Sequence, residues 1–292
     1  MNQTSPPHTF TASSDGVNVA IHDLGGPDDP AASVLLFSHA TGLNGRVWAP
    51  MAAALHSRFR CFAIDFRGHG LTESPEGASL AWSGMADDVV AVLDSELIGP
   101  NRVVHGVGHS MGGAALILAT ARRPARVRSL WLYEPIVVNP EMLPLARPDA
   151  RAEAATRRRT SFRSYDAAFE NFASKPPLNQ LHPEALRGYV DGGFILQADG
   201  TVSLRCSPGT EAAVFRGAYS SGAWDVLSAV DVPVAVVVGR HDEFSPGMRS
   251  RFVVESLPRA TLIERPDLGH FGPLEDPSNM AEDFEAWVES IS

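Results

Sequence analysis

The chain has 292 residues, 44% hydrophobic and 20% charged, with a formal net charge of −10. This length and composition fit a large α/β domain with an insertion, or two domains, and exclude wholesale disorder. The acidic balance argues against a nucleic-acid binder, which needs a basic face for phosphate, and no run reaches the roughly 18 apolar residues of a membrane span.

In chain order, short apolar and β-branched runs predict strands at Val17–Leu24, Val34–Ser38, Arg60–Asp65, Val103–Gly108, Val127–Tyr133, Val232–Gly239 and Ala260–Glu264. The middle runs are continuously apolar rather than alternating, as in strands buried on both faces of a parallel sheet. Apolar residues at helical spacing predict helices over Val47–Ser57, Met85–Ile98, Met111–Arg123, Arg249–Leu257 and Met280–Ile291. Strands alternating with helices imply βαβ units in a mostly parallel sheet, with an antiparallel start where short turns separate the first two runs. The rhythm breaks between Ile136 and Ser221, which holds ten Lys and Arg against nine Asp and Glu, an Arg-rich stretch (Arg151, Arg157, Arg158, Arg159, Arg163) and several aromatics. This reads as a helical cap, residues 136–221, inserted into a core made of residues 1–135 and 222–292; long insertions in such folds usually cover the site. The two cysteines, Cys61 and Cys206, are too few for a disulfide framework or a metal cluster and read as reduced thiols. The polar stretch Met1 to Phe10 lacks the features of a signal peptide, so a soluble cytoplasmic protein is expected.

Gly108-His109-Ser110-Met111-Gly112 lies between a predicted strand and a predicted helix. A serine on such a turn is held in strained backbone with its hydroxyl above the sheet, and the flanking glycines remove Cβ clashes. The helix that follows turns its amide end towards developing negative charge. A hydroxyl needs a base to become a nucleophile. Of the ten histidines, His270 stands in the turn-rich loop after the last predicted strand and is the candidate base. The base needs an acid on its other nitrogen. Asp242 ends a buried-type strand and is the first candidate, with Glu134, one strand earlier, and Glu243 as rivals. The order Ser110, Asp242, His270 is not that of chymotrypsin or subtilisin. Met111, just after the serine, is one candidate amide donor to an oxyanion, and the turn His39–Gly45 after the second core strand can supply another.

The chain resembles the α/β-hydrolase fold superfamily, and the likeness runs in order along nearly all of it. His39-Ala40-Thr41-Gly42 is similar to the family's His-Gly oxyanion loop, with Ala40 where glycine is usual; by position the donor amide maps to Thr41. Asp65-Phe66-Arg67-Gly68-His69-Gly70 resembles a turn that in the family is mainly structural. Gly108–Gly112 resembles the nucleophile elbow, Gly239–Asp242 with Pro246 the acid loop, and Gly269-His270-Phe271 with Pro273 and Pro277 the histidine loop. The resemblance implies a mostly parallel central sheet flanked by helices, a serine hydrolase acting on a small-molecule ester, lactone or thioester, and no metal or cofactor. Aspartate is the nucleophile of haloalkane dehalogenases and epoxide hydrolases, so Ser110 disfavours both. Carbon–carbon hydrolases commonly carry Asn before the serine and Trp after the histidine, where this chain has His109 and Phe271. That reaction and cofactor-free haloperoxidase or perhydrolase chemistry are the alternatives, and a non-catalytic ligand receptor on the same scaffold is the third. His39, His109, Phe162, Tyr165 and Phe271 are candidate substrate contacts.

Overall fold

The computed structural model describes residues 7–139, 141, 150–240 and 247–291. An eight-stranded sheet is built from β1 (His8–Ala12), β2 (Asn18–Gly25), β3 (Ser33–Ser38), β4 (Phe59–Ile64), β5 (Val104–His109), β6 (Val127–Tyr133), β10 (Val234–Val238) and β11 (Ala260–Glu264). Its spatial order is β1-β2-β4-β3-β5-β6-β10-β11. The pairs β1–β2 and β2–β4 are antiparallel and all others are parallel. The antiparallel start therefore exists, but β2 lies beside β4 and not beside β3.

The continuous apolar runs are explained by residue parity. Side chains alternate across a strand, so Val34 and Leu36 enter one core while Leu35 and Phe37 enter the other. The first core packs under α2 (Trp82–Leu93) and α3 (Met111–Arg122), and the second under α1 (Ala49–Leu55) and α10 (Pro277–Ser290). The chain also forms α8 (Gly247–Ser256) and the short α9 (Gly272–Glu275).

Between β6 and β10 stand α4 (Ala150–Thr156), α5 (Tyr165–Ala173), α6 (Pro183–Gly193) and α7 (Pro208–Gly217). A small antiparallel sheet of β7 (Ser161–Phe162), β8 (Phe194–Leu196) and β9 (Val202–Leu204) joins them, in the order β7-β9-β8. The sequence predicts only helices here, because strands of two or three residues leave no periodic pattern. Helix α6 lies directly on the loop after β3. A Cβ on Gly188 would stand 2.4 Å from the Arg46 carbonyl oxygen and one on Gly192 2.3 Å from Asn44 Oδ1. The Asn44 side-chain amide donates to the Tyr189 carbonyl at 3.0 Å, and the Trp82 indole of the core donates to the Val214 carbonyl of α7 at 2.7 Å. No helix among the described residues is long and apolar enough to cross a membrane.

Candidate active site

The parallel strands bring Ser38, His109 and Tyr133 to one edge of the sheet, since Ser38 pairs with Gly108 and His109 with Tyr133. Ser110 follows at that edge with φ 55° and ψ −115°, outside the ordinary regions for an L-residue. Such a backbone costs on the order of 1–3 kcal/mol and persists only where its surroundings hold it. Here the Ser110 amide donates to the Tyr133 carbonyl at 3.0 Å, and the Ser110 carbonyl accepts from the Ile136 amide at 3.1 Å. The glycines of the motif are dictated by space. A Cβ on Gly108 would lie 2.8 Å from Gly113 Cα, and one on Gly112 2.3 Å from the Ser38 carbonyl oxygen.

His270 sits over the same edge. Its ring centroid is 4.8 Å from that of His109, the immediate neighbour of Ser110, and 5.4 Å from that of Phe271. Nδ1 of His270 lies 2.6 Å from Oε2 of Glu134. The other oxygen, Oε1, accepts from the Gly239 amide at 3.0 Å. Glu134 is fully buried, has φ 42°, and donates its own amide to the Val237 carbonyl at 2.8 Å. A buried carboxylate accepts hydrogen bonds, so the proton between the two groups resides on Nδ1 and the Nε2 lone pair is left available. Among the described residues the carboxylate beside His270 is thus Glu134, the rival of Asp242 for that role. Asp242 itself, with Glu243, lies outside the described residues.

Two residues that the sequence analysis missed hold the His270 loop. The Tyr133 hydroxyl donates to the Gly269 carbonyl at 2.6 Å, and a Cβ on Gly272 would stand 2.2 Å from that hydroxyl. Burial pushes the Tyr133 phenol well above its ordinary pKa, so it remains a donor. Glu275 accepts from the amides of Gly269 at 3.0 Å and Phe271 at 3.2 Å. A glutamate soon after a Gly-rich turn is the signal that could have pointed to it.

The loop after β3 is held by imidazoles. His39 Nδ1 donates to the Ala40 carbonyl at 2.8 Å, and its Nε2 accepts from the Phe66 amide at 3.1 Å. The Ala40 carbonyl also accepts from the Leu43 amide at 3.1 Å. In a trans peptide the N–H points opposite to the C=O, so the Thr41 amide is turned away from His39. Met111 opens α3 and its amide is among those a helix N-terminus leaves without an intrahelical acceptor. The loop and the elbow are in contact, as the closeness of Gly112 to Ser38 shows. Burial drives the His39 ring down to about 3, with the neighbouring His69 adding to the effect.

The candidate substrate contacts divide. His39 and His109 are fully buried, and burial holds the His109 ring well below its ordinary pKa. Neither reaches open space, so both shape the loop and the elbow instead. Phe162 is also buried, packed on Phe172 and Phe194 with the Arg159 guanidinium 4.2 Å above its ring, and belongs to the second core. Tyr165 is half-buried against the second core, with its hydroxyl 3.5 Å from the Phe194 carbonyl oxygen. Only Phe271, half-buried beside His270 and 5.6 Å from the His109 ring, stands at the site itself. Arg158 of the cap is paired with Glu211 and bonded to the Tyr189 hydroxyl, so its charge is compensated.

Residues 35–283 match the model of the family described as Alpha/beta hydrolase family. The chain is 23% identical over 277 residues to 3-oxoadipate enol-lactonase 1 of Acinetobacter baylyi, covering 92% of each chain. It is 28% identical over 276 residues to a pimeloyl-[acyl-carrier protein] methyl ester esterase of Chromobacterium violaceum, covering 87% of this chain and 91% of that one. Among solved structures it resembles E-2-(acetamidomethylene)succinate hydrolase, with a TM-score of 0.77 and 20% identity over 97% of this chain and 100% of that one.

Proposed function

The chain belongs to the alpha/beta hydrolase family, and from that premise we propose that it is a serine hydrolase cleaving a carboxylic ester, lactone or thioester of a small molecule. The observation that carries the reading is the 2.6 Å contact between His270 Nδ1 and Glu134 on the sheet edge where Ser110 is strained out of the backbone. The lactonase and methyl ester esterase names of two relatives support oxygen-ester chemistry.

In this reading Nε2 of His270 takes the Ser110 proton as the serine oxygen attacks the carbonyl carbon. Glu134 holds the imidazole in the tautomer that leaves Nε2 free and stabilises the cation once it forms. The amides of Thr41 and Met111 stabilise the tetrahedral oxyanion; losing one such donor typically costs about 2.7–4 kcal/mol of barrier. The imidazolium then protonates the leaving oxygen or sulfur, and water repeats the cycle on the acyl-serine. The small-molecule substrate enters under the cap of residues 136–221.

A panel of p-nitrophenyl esters, lactones and thioesters with Ser110→Ala as the blank tests the proposal. Turnover that disappears in the variant, together with fluorophosphonate labelling of Ser110 in the parent chain, supports it. Turnover unchanged by Ser110→Ala refutes it.

A further inference from the structure

His69 lies in the turn after β4, in a stretch that the mechanism above does not use. It is fully buried, and its position is set from both sides. The Gly68 amide donates to the Thr72 carbonyl at 3.0 Å and the Thr72 amide to the His69 carbonyl at 2.9 Å, closing a tight turn. Beneath that turn Asp65 accepts from the amides of Gly45 at 2.6 Å and Leu71 at 2.7 Å and pairs with His22 at 2.8 Å. A Cβ on Gly70 would stand 2.1 Å from Asp65 Oδ2. The ring of His69 therefore rises from a rigid base.

That ring meets the loop after β3. Its Nδ1 is 3.1 Å from the Arg67 carbonyl, which can only accept, so Nδ1 carries the proton. Its Nε2 accepts from the Gly42 amide at 3.1 Å. On the other side of Gly42 stands the cap, for a Cβ there would lie 2.5 Å from Glu211 Oε1 and 3.3 Å from a nitrogen of Arg158. Gly42 has φ +78°, a conformation open to glycine at little cost, and is pinned between the ring and the ion pair. The rings of His39 and His69 lie 5.2 Å apart. One fixes the carbonyl of the Ala40–Thr41 peptide and the other fixes the amide of the Thr41–Gly42 peptide. Thr41 sits between two anchored planes.

We propose that His69 is a positioning residue for the oxyanion hole: its neutral imidazole, through the Gly42 amide, aims the Thr41 amide without touching substrate. The inference rests on the hydrolase reading and deepens it. Protonation of Nε2 would set one N–H against another and release the loop. The groups facing the ring are His39, Asp65, Asp88 and Glu211 with its partner Arg158. The carboxylates favour the cation, but burial outweighs them and holds His69 below its ordinary pKa.

The test uses the full chain with His69→Gln, His69→Asn and His69→Phe. Gln carries an amide oxygen where Nε2 stands and can accept from Gly42, whereas Asn is one methylene too short and Phe has no acceptor. For p-nitrophenyl acetate, Asn and Phe are expected to lower kcat by about tenfold to a hundredfold with KM within about threefold, less than outright loss of a donor. A trifluoromethyl ketone, which forms a tetrahedral oxyanion on Ser110, should weaken by the same factor. Gln should recover kcat to within about fivefold of the parent. Asn or Phe with unchanged kcat, a change in KM alone, or Gln no better than Asn overturns the proposal. If Phe fails to fold, the comparison of Asn with Gln decides. Nitrogen-15 spectra of the histidine rings read the geometry without substrate. The Nδ1–H tautomer at pH 7 is expected for His69, and an Nε2–H or doubly protonated ring refutes the inference. Failure of the hydrolase reading shows separately, as a parent chain whose Ser110 takes no fluorophosphonate.

Discussion

Glu134→Gln isolates the link between the acid and the base. The substitution keeps the size of the side chain, and its amide oxygen can still accept from the Gly239 amide, a bond of 3.0 Å in the parent. The other end then presents an NH₂ group to His270 Nδ1, where the carboxylate oxygen lies at 2.6 Å. A donor there forces Nδ1 to accept, so the ring proton moves to Nε2. In the proposed mechanism Nε2 receives the Ser110 proton, so the favoured tautomer becomes the inactive one. The cation formed in the transition state also loses its counter-charge. Amide replacement of the acid in a serine triad lowers kcat by about 10⁴-fold, and a loss of about 10³–10⁴-fold, roughly 4–5.5 kcal/mol of barrier, is expected here. The assay is kcat for p-nitrophenyl acetate at pH 7–8, with Asp242→Asn measured beside it. The expected pattern is a collapse in Glu134→Gln and a change within about fivefold in Asp242→Asn. The opposite pattern refutes the assignment and restores the acid ranked first from sequence.

Gly112→Ala places a Cβ 2.3 Å from the Ser38 carbonyl oxygen, and a backbone atom cannot swing aside. A loss of about 3 kcal/mol of stability, the upper part of the usual range for overpacking, should appear as a lower urea midpoint. Because Ser38 leads into the loop carrying Thr41, kcat should fall with it; an unchanged midpoint contradicts the contact. For pH, burial holds the ring of His39 at about 3 and that of His105 at about 4, helped by His69 and Arg128 respectively. Below the unfolded value of about 6.5 the unfolded chain binds protons that these buried rings refuse, so stability falls as pH falls. The slope per group grows from half of about 1.4 kcal/mol per pH unit at pH 6.5 towards the full value below it, hence about 3 kcal/mol for both between pH 6.5 and pH 5. Urea midpoints at the two pH values measure it, and a flat profile would show that the rings are charged in the fold.

The sheet was legible in the sequence because a strand buried on both faces must be apolar at every position, as Val34–Phe37 and Val234–Val238 are. Strand β1 was not, since most of its residues are exposed and it exists through pairing with β2. Ser110 could be read from five consecutive residues, because the strain of an elbow and the glycines that relieve it are local. The identity of the acid could not. Glu134 and Asp242 follow neighbouring strands, β6 and β10, with Tyr133 level with Val237. Glu134 meets His270 through a contact spanning 136 residues of chain, which no local pattern announces.

The same division runs through the histidines. Position in a motif made His39 and His109 candidate contacts and put His69 in a turn read as structural, but it did not say what their rings do. That is decided by burial and by which backbone groups arrive around them: the Phe66 and Gly42 amides at Nε2 of His39 and His69, and the His270 ring against His109. The chain alone determined the fold and marked Ser110 and His270 as the candidate nucleophile and base, because each is written in short-range pattern and spacing. Only the tertiary structure brought Glu134 to His270 and set the hydrogen bonds that anchor the loop around Thr41. Those depend on the register between distant strands and on the burial of the groups they bring together.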